Sequence, residues 1–305
     1  MKGRHFTWGK RLEMLLVRGI VWGLSAVAKR TSPATSFWLA DRLGLLIYQV
    51  IPRFHRTALN NLHMAFGDRK PPAELERIAR RALQNNCRAV MEFLRLRCLS
   101  PEDLQRLVEL WGSEHLDAAL AQGRGVMLVT AHYGNWELMG ARIATAGYPL
   151  TVITRDQDDE ALTRLVNDSR ESAGLRVIRR QEVRKALACL RRNEILGILA
   201  DQNTAVGGVF VDFFGRPAAT ATGPVLFALR LGTPLLPCFI RRLEDNRHRV
   251  VIYPPLELVR TGDATRDIAL NTARLTKVIE HQIAERPEEW LWIHRRWKRR
   301  PEGEV

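Results

Sequence analysis

The sequence predicts an α/β protein: a mixed sheet flanked by helices, with a helical N-terminal part that associates with a membrane. Three observations carry this reading. From residue 124 onward, short β-rich runs alternate with helical stretches, as strands joined by packed helices do. Before residue 100, apolar residues recur at helical spacing. The composition, 46% hydrophobic and 26% charged over 305 residues, is that of a folded chain long enough for one large domain or two small ones.

The elements follow in chain order. Residues 12–28, "LEMLLVRGIVWGLSAVA", form a mostly apolar helix interrupted by Arg18. A spanning helix needs about 20 predominantly apolar residues. Two arrangements therefore stay open: a short span in which Arg18 snorkels, or a helix lying in the membrane interface. No small-residue cleavage site follows cleanly, so the segment is not a signal peptide. A second apolar helix covers 36–51 and is cut by Asp41 and Arg42. Residues 1–52 thus read as N-terminal membrane-anchoring helices, and 53–305 as an α/β domain with a helical lead-in over 53–123. Within the lead-in, 53–98 reads as two helices broken at "GDRKPP" (67–72).

Strands are expected at 125–130, 149–154, 175–179 and 195–200, with helices from about 135 and over 159–173 and 181–192. A glycine-rich loop fills 201–223. A helix near 224–231, the strands "PLLPCFIRR" and "RVVIYPP", a long helix over 264–285 and a basic, Trp-rich segment over 286–301 complete the chain. There is no internal repeat and no low-complexity tract.

The net charge is +14. The first 30 residues hold seven Lys and Arg against Glu13, and residues 290–305 hold five against Glu302 and Glu304. Six of the eight tryptophans, Trp8, Trp22, Trp38, Trp290, Trp292 and Trp297, lie in or near those segments. Tryptophan beside Lys and Arg suits a membrane interface, where indoles sit at headgroup level and cations attract anionic lipid. A merely solubilising basic surface is the other reading. Nucleic acid is set aside, for want of zinc-finger spacing or an RNP-type aromatic strand. Cys87, Cys98, Cys189 and Cys238 form no Cys-x-x-Cys pair and read as small buried residues in a reducing compartment.

The chemistry centres on "TAHYGNWELMG" (130–140). His132 follows a buried strand, and sites in open α/β sheets gather at carboxyl ends of strands. On a continuous helix, His132 and Glu137 would stand about 140° apart. They meet only if His132 lies in a turn that Gly134 lets bend and Asn135 caps. Glu137 would then accept a hydrogen bond from one imidazole nitrogen, leaving the other as a base. A purely structural hydrogen bond is the competing reading. No His-Glu-x-x-His spacing and no Gly-x-Ser-x-Gly elbow is present, so neither a metal pair nor a serine nucleophile is expected.

His-x₄-Glu in this setting resembles the His-x₄-Asp/Glu motif of glycerolipid-type acyltransferases. Together with "RTALNNLHMAF" (56–66), "ADQ" (200–202), "GVFVDFFGRPAATATG" (208–223) and "RPEEWLWIHRRWKRRP" (286–301), it is similar to the bacterial lipid A late acyltransferases. The resemblance runs from about residue 12 to 301. It implies a glycerol-3-phosphate-acyltransferase-like fold on the cytoplasmic face of the cell inner membrane, single-pass or peripheral. It implies acyl carrier protein as donor partner, its acyl thioester as co-substrate, and no metal or other cofactor. The acceptor is a hydroxyl on a 3-hydroxyacyl chain of a (Kdo)2-lipid A precursor, among inner-membrane lipids.

In that reading His132 is the base and Glu137 orients and polarises it, with backbone N–H groups near Gly134–Trp136 facing the oxyanion. Arg170 matches a family arginine four residues before a glycine, here Gly174, and either binds a phosphate or pairs with Asp201. Asp201 and Gln202 match an Asp-Gln step. Arg155, after the strand "TVIT", is an anion-binding candidate. Phe214 and Arg216, within "FFGR", edge the acceptor or acyl groove, unless the phenylalanines are simply core. Asn135 completes the candidate set. An enzyme acting on another membrane glycolipid or a lysophospholipid is the runner-up, and a catalytically inactive lipid-binding relative is the non-enzyme alternative.

Overall fold

The computed structural model describes residues 8–155 and 159–301. Of the terminal charges counted above, Lys2, Arg4, Glu302 and Glu304 lie outside them. The N-terminal part is helical: α1 (Trp8–Arg30), α2 (Pro33–Val50), α3 (Pro52–Phe66) and α4 (Pro72–Arg95). Pro33, Pro52 and Pro72 each stand at a helix start, where the missing N–H costs nothing and φ is already helical. Ser100 and Asp103 form a capping box that opens α5 (Pro101–Leu107), followed by β1 (Val108–Trp111) and α6 (Ser113–Leu120). The lead-in expected to be helical therefore contains a strand. It is only four residues long and its partner lies about 140 residues further on, so no local pattern announces it.

Alternation then sets in: β2 (Val126–Thr130), α7 (Trp136–Thr145), β3 (Leu150–Thr154), α8 (Glu160–Glu171), β4 (Arg176–Arg179), α9 (Val183–Arg191) and β5 (Ile195–Leu199). A hairpin, β6 (Val209–Phe213) and β7 (Arg216–Thr220), precedes α10 (Gly223–Leu231), β8 (Leu235–Arg242), β9 (His248–Ile252) and α11 (Ala264–Glu285). The main sheet has the order β1-β9-β8-β2-β5-β3-β4. All of its pairings are parallel except β8 with β9. This is the mixed α/β sheet flanked by helices that the sequence predicts.

The central strand β2 is buried along its whole length. Val126 and Leu128 face a core shared with α5, α6 and α7. Met127 and Val129 face the opposite core, built by α3, α4, α9, α10, α11 and the C-terminal segment. Alternation with period two, apolar on both faces, is what a strand packed on both sides needs.

Three expectations change here. Residues 201–223 are not one loop, because β6 and β7 pair within them. Their connection is a two-residue turn, Phe214 and Gly215, both at positive φ. That turn matches the twist of a hairpin, but Phe-Gly is not one of its usual sequences. Second, the Trp-rich tail is not interfacial: Trp290, Trp292 and Trp297 are core residues. The Asn61 carboxamide donates to the carbonyls of Trp292 and His294 at 2.7 and 2.6 Å, and the buried Arg296 guanidinium donates to Ala219 and Thr220. Composition alone cannot separate these tryptophans from the exposed Trp8, Trp22 and Trp38. Third, Arg18 does not snorkel but pairs with buried Asp159, the N-cap of α8, at 2.8 Å. No helix among the described residues is long and apolar enough to cross a membrane.

The tail assignment is checked by denaturation. Trp292→Ala should cost about 3–5 kcal/mol, whereas Trp22→Ala should change stability by no more than about 0.5 kcal/mol. Equal effects in urea titrations would contradict the burial of the tail.

Candidate active site

β2 and β5 are parallel neighbours with Thr130 opposite Leu199, and the Ala200 N–H donates to the Thr130 carbonyl. Two residues past that pair, His132 and Asp201 leave the sheet side by side at its carboxyl edge. The Asp201 carboxylate accepts from His132 Nδ1 at 2.8 Å, from the His132 backbone N–H at 3.0 Å and from Trp290 Nε1 at 2.7 Å. Burial works against its charge. The His132 imidazole and these hydrogen bonds outweigh that penalty and hold the carboxyl at about 2. An ionised Asp201 can only accept, so the Nδ1 proton is fixed and Nε2 carries the lone pair, which accepts from the Gln202 carboxamide at 3.3 Å. The imidazole is half-buried, and its ring stands edge-on to Trp136 at 5.1 Å.

Glu137 is not the partner of His132. Its carboxylate is taken by Arg170, which donates from Nε at 2.9 Å and from Nη2 at 2.6 Å, and by Trp136 Nε1 at 3.1 Å. The physical reason is local. Asn135 caps α7, so Glu137 falls in the first turn and turns toward α8, away from the imidazole. Arg170 accordingly pairs with Glu137, not with Asp201 as the sequence left open.

The turn itself is tightly held. Gly134 has φ +57, and a Cβ there would stand 2.2 Å from the Ile240 carbonyl oxygen. Its N–H donates to the Glu289 carbonyl, and the His132 carbonyl accepts from Leu291. Gly134 therefore cannot serve an oxyanion. The Asn135 side chain accepts from the Leu138 N–H. The N–H groups of Trp136 and Glu137, first in α7, bond no carbonyl among the described residues.

Between α7 and the sheet lies an apolar cavity of about 50 Å³, lined by Leu128, Met139, Leu150, Val152, Leu175 and Leu199. Thr130, Glu137, Arg170 and Trp136 also border it, and Trp136 is the ring that stands against the imidazole. The Thr130 hydroxyl is buried without a partner among the described residues. Gly140 and Gly197 keep the cavity open: a Cβ on either would stand 2.9 Å from Leu175 Cδ2 or 3.2 Å from Leu150 Cδ1.

The family profile described as bacterial lipid A biosynthesis acyltransferase matches residues 12–299. The chain belongs to that family. This acyltransferase is 29% identical to the phosphatidylinositol mannoside acyltransferase of Mycobacterium tuberculosis over 71% of its own length and 69% of the relative's. It is 30% identical to the lipid A biosynthesis lauroyltransferase of Escherichia coli (strain K12) over 66% and 65% of the two chains. With that organism's lipid A biosynthesis palmitoleoyltransferase it shares 26% over 88% and 86%.

The other expected residues of the acyltransferase are scattered. Arg155 is exposed just past β3, on the same edge as His132. Phe214 is core, against Phe66 at 4.9 Å, which is the packing alternative the sequence left open. Exposed Arg216 donates to the Met64 carbonyl. The sequence reading missed Trp290 and His294 as supports of the site. Burial lowers the pKa of His294 and keeps its ring neutral, so Nε2 accepts from the Asn203 N–H at 3.1 Å. Asp201 was in view, but only as a match to a motif. The signal for its role is that "GVMLVTAH" and "ILGILAD" each end a buried strand with a polar residue at the same offset.

Asp201→Asn should lower kcat by about 10²- to 10⁴-fold, because an amide no longer fixes the imidazole tautomer. Its carboxyl sits at about 2 against an ordinary 3.8. A depressed carboxyl stabilises the fold above its ordinary value, and that contribution is lost as pH falls toward the folded value. The Tm difference between wild type and Asp201→Asn should therefore shrink as pH falls from about 4 to about 2.

Proposed function

We propose that the enzyme transfers a fatty acyl chain from an acyl carrier protein thioester to a hydroxyl of a 3-hydroxyacyl chain on a (Kdo)2-lipid A precursor, with His132 as general base. The observation that carries this is the His132–Asp201 pair, whose imidazole stands against Trp136, a residue that lines the apolar cavity. The acyl chain enters the cavity, leaving the thioester carbonyl beside Nε2. His132 takes the acceptor hydroxyl proton as the oxygen attacks that carbonyl. Asp201 stays ionised and stabilises the imidazolium. The oxyanion meets the N–H groups of Trp136 and Glu137 at the positive end of α7. Collapse expels the thiolate, which takes the proton from His132, giving ester and free thiol.

In this reading Glu137 does not polarise His132. It anchors Arg170, whose Nη1 remains free of Glu137 and can meet a phosphate of the acceptor. Exposed Leu15, Leu16, Ile20 and Trp22 on α1, and Trp38, Leu46 and Val50 on α2, form an apolar surface that suits a bilayer interface. Arg18 ties α1 to the start of α8, near the carboxyl edge of the sheet. We place the enzyme peripherally on the cytoplasmic face of the inner membrane, where its net charge of +14 favours anionic lipid and an acidic carrier. A second acceptor, another membrane glycolipid, has support in the similarity to a phosphatidylinositol mannoside acyltransferase.

Mass spectrometry tests the proposal. Wild type with lauroyl- or myristoyl-carrier protein and tetra-acylated Kdo-lipid A should add one acyl chain, and His132→Ala should lose about 10²- to 10⁴-fold in rate. A gain on phosphatidylinositol mannoside or a lysophospholipid instead would overturn the acceptor. Gly140→Ala pushes Leu175 into the cavity, and should shift donor preference toward shorter chains by about 10-fold in kcat/KM. An unchanged chain-length profile would remove the acyl chain from this cavity.

A further inference from the structure

Asn135 does more than cap a helix. Its Oδ1 caps the Leu138 N–H, a task that Ser, Thr or Asp performs as well. Its Nδ2 donates to Glu92 Oε2 at 2.9 Å, and that bond needs an amide. Glu92, on α4, is buried and fully engaged. Arg242 grips it at both oxygens at 2.7 Å, and His248 Nε2 lies 3.0 Å from Oε1. Arg242 and His248 are themselves opposite residues of β8 and β9. One side of the sheet and the helix above it thus converge on a carboxylate, and that carboxylate holds the turn carrying the base.

We infer that Glu92, held by Arg242 and His248, positions the active-site turn through the Asn135 carboxamide. The inference rests on the proposed roles of His132 and the α7 N–H groups. Asn135 lies between His132 on one side and the Trp136 and Glu137 donors on the other. The base must reach the attacking hydroxyl while the donors reach the oxygen of the carbonyl it attacks, each within about 3 Å. A displacement of about 1 Å in such a constellation costs about 10²-fold in rate. Gly134 leaves no room on the Ile240 side, and the Asn135–Glu92 bond ties the turn to α4 on another. None of the three supporting residues touches substrate. They are positioning residues.

A reversed hydrogen bond tests this. Asn135→Asp keeps the cap but sets a carboxylate against Glu92. Combining it with Glu92→Gln restores the bond with donor and acceptor exchanged. We expect Asn135→Asp to lower kcat by about 10- to 100-fold with little change in KM, and the double variant to recover most of it. If Asn135→Asp does not fold, Asn135→Ser keeps a cap oxygen and is too short to bridge to Glu92, and the same loss in kcat is expected. The imidazole ¹⁵N signals of His132, assigned through His132→Ala, should shift in the single variant and return in the double. That measurement needs no substrate. If wild type acylates no acceptor offered, the functional reading falls while the imidazole signals still test the coupling. An unchanged kcat in Asn135→Asp, or kcat, KM and Tm falling together without recovery in the double variant, would overturn the inference.

Discussion

A buried carboxylate must be fully satisfied or it destabilises the fold, and Asp201 imposes that requirement on the whole catalytic edge. It is 3% exposed and ionised. Three donors meet it, two from His132 and one from Trp290, and these two residues bring different parts of the chain with them. His132 arrives through the register of β2 with β5. Trp290 arrives because the tail folds back as an antiparallel bridge opposite Tyr133. Behind Trp290 stand Trp292, Phe213 and Phe66 in contact, so α3, the β6–β7 hairpin and the tail pack into one support. The five separated segments that gave the family resemblance are thus one cluster in space.

Two acids near His132 divide the work. Asp201 lies in the sheet line of His132 and sets its proton. Glu137 lies on the helix and sets an arginine at the rim of the apolar cavity. Sequence spacing favoured Glu137 because it is close along the chain. Folding favoured Asp201 because two adjacent parallel strands deliver their next residues to the same place. Closeness along a chain is a weak guide where a turn and a helix start intervene, since a rotation of one residue on the helix swings a side chain by about 100°.

Much of the frame was legible in the residues. β2, β3 and β5 are short, mostly apolar runs bounded by turn residues, and β4 is a Val-Ile pair between two arginines. The break between α3 and α4 is written in Gly67, Pro71 and Pro72. The site turn is announced by Gly134 and Asn135. What escaped has a common cause: it depends on partners far away in sequence. β1 is defined by β9. The Phe214–Gly215 turn is defined by the pairing of its strands and by Glu280, which accepts the Phe214 N–H at 2.6 Å. The fate of Trp290 and Trp292 is decided by Asp201 and Asn61, and that of Trp297 by Phe213, not by the arginines beside them, and those arginines steered the composition toward a lipid surface.

The tail's place in the site also fixes when the enzyme becomes competent. Residues 126–201 contain the base, its carboxylate and the strands that align them. Yet Asp201 lacks a donor, and the turn lacks two of its backbone contacts, until Glu289, Trp290 and Leu291 are in place. Those residues follow Asp201 in the chain by the whole span that holds the β6–β7 hairpin, β8, β9 and α11. A chain that has formed only β2 to β5 still holds His132 loosely. The site closes when the tail docks, so chain made only as far as Asp201 has both strand ends and no finished site.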